Sequence, residues 1–152
     1  MLKWIALVIV VVIAAGLLYV RLAPTDPADW HTASDADTAG DTTTINSHHS
    51  VRPFTTGPED MLRAVDLTAG DWPRTRAIAG SIEEGMITYE TRSQLMGYPD
   101  YTTVSIIPAA ANHPAFLSIH ARSRVGKGDM GVNKARAEAW LDRVGPLVMP
   151  AS

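Results

Sequence analysis

Between Lys3 and Arg21 the chain carries no charge, and residues 4–20 are almost all Ile, Val, Leu or Ala. A helix rises about 1.5 Å per residue, so this run with its flanks approaches the roughly 30 Å hydrocarbon core of a bilayer. Trp4 and Tyr19 stand near its two ends, where amphipathic rings prefer the interface. Lys3 and Arg21 can snorkel outward from the same positions. The apolar region of a secretory signal is usually about 7–15 residues long, and cleavage favours small residues. Here Ala23, the nearest small residue at a cleavage-like position, has Arg21 two places before it. The run therefore predicts an uncleaved anchor over residues 1–22, with the lipid bilayer as partner through residues 4–20. A soluble helix this apolar on every side would need far more protein to cover it.

After Arg21 the next basic residue is Arg52, while Asp26, Asp29, Asp35, Asp37 and Asp41 fall between. The positive-inside bias counts basic residues and largely ignores acids, so the expected topology is N-in, C-out. The expected location is thus the inner (cytoplasmic) membrane, single pass, with a periplasmic C-terminal domain. Residues 23–52 are rich in Thr, Asp, Ala, Ser and Pro. So little apolar surface cannot offset ordering entropy, and the segment is expected to be a flexible polar tether. Its His31, His48 and His49 do not make a closed coordination sphere, and no metal is expected there.

Residues 53–146 read as globular, followed by a tail at 147–152. Thr56-Gly57-Pro58-Glu59 is a helix-start signal, and Met61, Leu62, Ala64 and Val65 follow as one short apolar face. Strands are expected over residues 74–82, 86–95, 101–107 and 116–125, with Gly97-Tyr98-Pro99-Asp100 as a turn. Ala137, Trp140, Leu141 and Val144 recur at helical spacing before Gly145-Pro146. The expected fold class is α+β: the transmembrane helix, then a small four-stranded antiparallel sheet with two helices packed on one face. Residues 53–152 are expected to fold alone, with Trp140 buried against the sheet.

The absence of cysteine excludes a disulfide framework, a thiolate nucleophile and Cys-ligated metal. A net charge of −3 leaves no footprint for nucleic acid, and none is expected as partner. Two polar constellations remain. Alternation places Glu90 and Arg92 on one face of their strand, and His120, Arg122 and Arg124 on one face of theirs. Antiparallel pairing would bring these five together as a candidate site for an anionic ligand, with His120 a proton carrier. The competing reading is a solvated face with cross-strand ion pairs. The second constellation is Lys127, Lys134 and Arg136 around the start of the last helix, a candidate anion site expected to be exposed. Gly126-Lys127-Gly128-Asp129-Met130-Gly131 matches the dinucleotide fingerprint literally. No strand follows its helix, so the loop reads as a turn with Asp129 or Asn133 as the helix cap, and no cofactor is expected. No catalytic residues are assigned, for no nucleophile elbow is present.

Arg122-Ser123-Arg124-Val125-Gly126, with Asp129-Met130-Gly131-Val132-Asn133-Lys134-Ala135-Arg136 after it, resembles the C-terminal signature of the domain of unknown function 1499 family. Thr88-Tyr89-Glu90-Thr91-Arg92-Ser93 and Gly97-Tyr98-Pro99-Asp100 are similar to its middle strands and turn. The resemblance covers about residues 53–145. It implies a small membrane-associated or exported domain of bacterial or plastid type and supplies no reaction. The functional expectation is a membrane-anchored extracytoplasmic domain that binds a polar or anionic ligand or an envelope partner protein. The alternative is an envelope enzyme acting through Glu90, His120 and the neighbouring arginines. The discriminating feature is whether the five polar residues line a concave pocket.

Overall fold

The structure is a computed structural model that describes residues 1–150. Helix α1 (Leu2–Leu22) takes up the whole apolar run, and none of its residues is buried. Its 21 residues span about 31 Å and are long and apolar enough to cross a membrane. Ala23 donates to the Tyr19 carbonyl at 2.7 Å to close the last turn, and the chain then runs extended. A single 3-10 turn at Pro27–Asp29 follows, with the Asp26 side chain accepting from the Ala28 N–H.

The remaining elements are β1 (Gly40–Thr43), β2 (Ser47–Pro53), α2 (Pro58–Gly70), β3 (Thr75–Ser81), β4 (Met86–Arg92), β5 (Pro99–Ile107), β6 (Phe116–Ser123) and α3 (Val132–Arg143). The expected meander is present as β3 to β6, and every pairing is antiparallel. The sheet nevertheless has six strands rather than four, in the order β1-β2-β6-β5-β4-β3. The two extra strands come from the segment expected to be a flexible tether. A low apolar content does not keep this segment disordered, because its polar residues bury in satisfied pairs. His48 and Ser50 are both 1% exposed. Thr43 Oγ1 lies 2.8 Å from His48 Nδ1, and the Ser50 hydroxyl donates to Asp41 at 2.7 Å. Fragment 53–152 would lack β2, so the expectation that it folds alone does not match this architecture.

Helices α2 and α3 cover one face, as expected. Gly57 caps α2, Pro58 opens it, and Glu59 and Asp60 occupy its positive end. Met61, Leu62 and Val65 then meet Ala137, Trp140 and Leu141 of α3 over Ile87, Tyr89, Val104, Leu117 and Ile119. Trp140 is fully buried, with Tyr89 and Trp72 edge-on to its ring. The expected tail is partly built in: Met149 donates to the Pro53 carbonyl and Thr55 to that of Leu147. Ala151 and Ser152, at its end, lie outside the described residues.

The other face is covered too, by residues 23–39 acting as a strap. Trp30 stacks on Tyr101 of β5 with ring centroids 4.2 Å apart. Ala36 and Ala39 pack on Val51, Ile107 and Phe116. His31 reaches Thr88 at 2.9 Å and leans on Gly80, where an added Cβ would lie 2.6 Å from its ring. Gly80 also has φ +81, so a side chain there would be strained twice over.

Candidate functional site

Alternation does put Glu90, Arg92, His120 and Arg122 on the face opposite the helices. Register then decides which of them meet. Glu90 pairs with Tyr101, and Tyr101 with Arg122; His120 lies in the next row, opposite Thr103 and His49. Glu90 and His120 are thus two strands apart, about 10 Å sideways, and a row out of step. Tyr101 and the stacked Trp30 stand between the Glu90 and Arg122 positions. An acid–base pair for catalysis is not brought together.

Two of the expected arginines are instead occupied by the strap, and a third by the end of α1. Arg92 donates to the carbonyl of Arg21, and Arg124 to those of Ala23 (3.2 Å) and Pro24 (3.0 Å) and to the Thr25 hydroxyl. Arg122 donates to the Trp30 carbonyl and to Thr103 and Thr32, with its guanidinium 5.3 Å from the Trp30 ring centre. Its Nε is buried without a partner, and burial lowers its affinity for a proton. His120, half-buried beside the His49 ring at 4.9 Å, is held down to about 4 by burial, with Arg122 and His49 adding repulsion. His49 is lowered as well, first by burial and then by His48 and Arg122. It lies 2.8 Å from the Ser118 hydroxyl, so its neutral ring is a structural partner.

Where the strap leaves α1 it stands off the sheet edge, and a cleft opens. One lobe, about 450 Å³, lies between Leu22, Pro24 and Thr25 on one side and Arg76, Ile78, Glu90 and Arg92 on the other. A second, about 390 Å³, adds Arg21, Arg74 and Gly97 and shares Arg76, Glu90 and Arg92 with the first. Glu90 is 2% exposed and forms the floor. Arg92 Nε donates to it at 2.9 Å and Arg76 Nε at 3.2 Å. Arg74 adopts φ +58, which is uncommon for a residue with a side chain, and its Nε donates to the Arg92 carbonyl. Gly97, at φ +67, lets the Arg21 side chain lie where a Cβ would be 3.1 Å from its Nε. Four arginines thus line a cleft that contains one carboxylate. Such an excess of fixed cations suits a phosphate or carboxylate.

The second expected anion site is not assembled. Lys127 and Lys134 are exposed, and Lys134 lies 3.7 Å from Glu138. Arg136 is 3% exposed, which corrects the expectation that it faces solvent. It is held by Asp100 at 3.4 Å, by Thr102 at 3.2 Å and by the Asn133 side chain. Asn133 in turn donates to the Asn46 carbonyl and to Ser123, tying α3 to the β1–β2 turn and β6. The Asp129 carboxylate accepts from the Gly131 and Asn133 N–H groups and so caps α3. The fingerprint-like loop ends in a helix packed on an antiparallel sheet, which is no dinucleotide architecture. Among the described residues no three His, Asp or Glu converge as metal ligands.

Ser123, Asp129, Asn133 and Arg136 of the signature thus hold α3 in place, while its Arg122 and Arg124 hold the strap. The family profile carrying the description protein of unknown function (DUF1499) matches residues 20–144. The chain belongs to the DUF1499 family. The match begins about where α1 ends, so the DUF1499 domain takes in the strap, β1 and β2 as well as residues 53–144. Comparison with the curated proteins and with the solved structures returns no match. Arg21, Arg74 and Arg76 escaped the sequence reading, because no local spacing announces a cleft made by the end of α1, the start of β3 and the end of β4.

Proposed function

We propose that this DUF1499 protein is a single-pass, membrane-anchored extracytoplasmic binding module that holds an anionic group at the foot of its anchor. The observation that carries the reading is the cleft lined by Arg21, Arg74, Arg76 and Arg92 around the buried Glu90. Glu90 accepts from two of the arginines and fixes their orientation. The exposed Arg74 and Arg76 provide charge for a ligand. The anchor assignment rests on the length and apolar character of α1, and the outward orientation on the lack of basic residues after Arg21.

Calorimetric titration of the detergent-solubilised full chain with inorganic phosphate tests the reading. Phosphate binds the parent, and binding is lost in the double variant Arg74→Gln, Arg76→Gln while Lys127→Gln, Lys134→Gln retains it. Absence of phosphate binding by the parent, or loss confined to the lysine variant, sinks the proposal.

A further inference from the structure

Five of the large apolar side chains exposed outside α1 are gathered at one end of the domain; Leu67 on α2 and Met149 beside Pro53 are not part of this group. Ile45 is at the β1–β2 turn, Leu95 and Met96 are in the β4–β5 loop, and Met130 and Val132 are at the start of α3. Backbone contacts join these loops: Asp129 donates to the Ile45 carbonyl and Ser123 to that of Asn46, while Ser123 pairs with Asp100 of β5. This is also the end where α1 departs, since Arg92, Gly97 and Arg124 all touch residues 21–24. Leu95 is 90% and Met130 98% exposed, and Met130 is displayed from a left-handed backbone at φ +52. One exposed leucine is ordinary, whereas several on neighbouring tips form an apolar end that needs a partner.

The anchor indicates which partner. A groove of about 290 Å³ runs between Ala14, Leu17 and Leu18 of α1 and Leu95 and Met96, with Arg21 at its rim. Ala14 lies seven residues before Arg21, so the groove reaches about 10 Å back along the apolar run. The loop tip therefore stands level with residues that a spanning α1 would place in the bilayer. Arg21 belongs to the wall of the arginine cleft as well as to the rim of this groove. An apolar channel and a cationic cleft joined at one residue complement an amphiphile of negative charge.

We propose that the end bearing Ile45, Leu95, Met96 and Met130 is seated in the bilayer spanned by α1 and binds one anionic phospholipid. Its phosphate enters the arginine cleft and one acyl chain lies in the groove between α1 and Leu95–Met96. This rests on the reading of the cleft as an anion site and assigns the source of the anion.

The chain has no cysteine, so single thiol labels are unambiguous. Full-length Leu95→Cys, Met130→Cys and Ala111→Cys carry a fluorophore in bilayers whose lipids bear nitroxides on the acyl chain. Labels at 95 and 130 are quenched strongly, and the label at 111, in the β5–β6 loop at the opposite end, is not. Equal quenching at all three sites, or none at 95, overturns the seating. Native mass spectrometry of the full chain, extracted from bilayers of phosphatidylglycerol and phosphatidylcholine, addresses the lipid. The parent retains phosphatidylglycerol. Arg74→Gln, Arg76→Gln retains it roughly thirtyfold less well, about fivefold for each arginine lost near the surface. Leu95→Asn, Met96→Asn also loses the lipid but still binds inorganic phosphate. If the parent binds phosphate yet retains no phosphatidylglycerol, this inference fails and the proposed function stands. If it binds neither, both fail.

Discussion

The two faces of the sheet are covered by different chemistry. Beneath α2 and α3 the contacts are aliphatic and aromatic, with Trp140, Leu62 and Ile119 out of water altogether or nearly so. Beneath the strap they are chiefly arginine donors meeting peptide carbonyls, with threonine hydroxyls, one stacked Trp30 and a small apolar cluster of Ala36 and Ala39 on Val51, Ile107 and Phe116. Burying a large apolar side chain contributes about 1.5–3 kcal/mol. A hydrogen bond from a charged donor contributes about 1.5–3 kcal/mol net, but here it must also offset partial desolvation of the cation. The helix face is accordingly expected to hold the fold, and the strap to open without unfolding the rest.

The widest break in this comparison comes from deleting residues 1–52. That removes the strap, β1 and all of β2 except Pro53, and uncovers β6 as an edge in what is now the middle of the sheet. Fragment 53–152 is expected to aggregate or melt without a cooperative transition, whereas fragment 23–152 melts as one unit. Thermal unfolding followed by circular dichroism separates the two outcomes. Trp140→Ala comes next, at about 3–5 kcal/mol of lost stability, as for other large aromatics removed from a core. Denaturant titration of fragment 23–152, once its cooperativity is established, gives the value.

Arg122→Ala sharpens the contrast on the other side. It removes donors to the strap but also a half-buried cation with no carboxylate contact, so the expected loss is smaller, about 1–2 kcal/mol. Its distinguishing sign is local: amide hydrogen exchange accelerates over residues 23–39 while α2 and α3 keep their protection. The reverse pattern would mean that the strap is no separate unit.

A further break in the comparison is a dependence on pH. His120 titrates near 4 and His49 below its usual value in the folded chain, against 6.5 for an ordinary histidine. Between these limits the unfolded chain binds the extra protons, so the stability from the neutral rings is full above about pH 6.5 and is lost as pH falls towards 4. Melting temperatures of the parent should fall over that interval, and those of His120→Asn should fall less. Parallel curves would show that the ring is not desolvated.

What was legible in the sequence follows from the same contrast. Helix α2, strands β3 to β6 and helix α3 announce themselves through apolar period and turn residues, because an apolar core leaves that trace. The strap leaves none. Several of its attachments are the carbonyls of Ala23, Pro24 and Trp30, which any residue would supply, and its apolar contacts, Trp30, Ala36 and Ala39, keep no helix or strand period. Strands β1 and β2 were hidden because His48 and Ser50 bury through hydrogen bonds, to each other and to Asp41 at the edge, that composition cannot show. Arg136 did have a signal. Asn133, Arg136, Ala137 and Trp140 fall at i, i+3, i+4 and i+7, so the period that buries Trp140 buries Arg136 as well.

The join between α1 and the strap also governs mobility. A free leash of thirty residues would let its cargo wander about 30 Å from the point of attachment. Here the first two residues after α1 are already clamped by Arg124. With no slack between stalk and cargo, the domain turns when the helix turns. In the anchored arrangement proposed above, its search volume would shrink to the layer at the lipid surface.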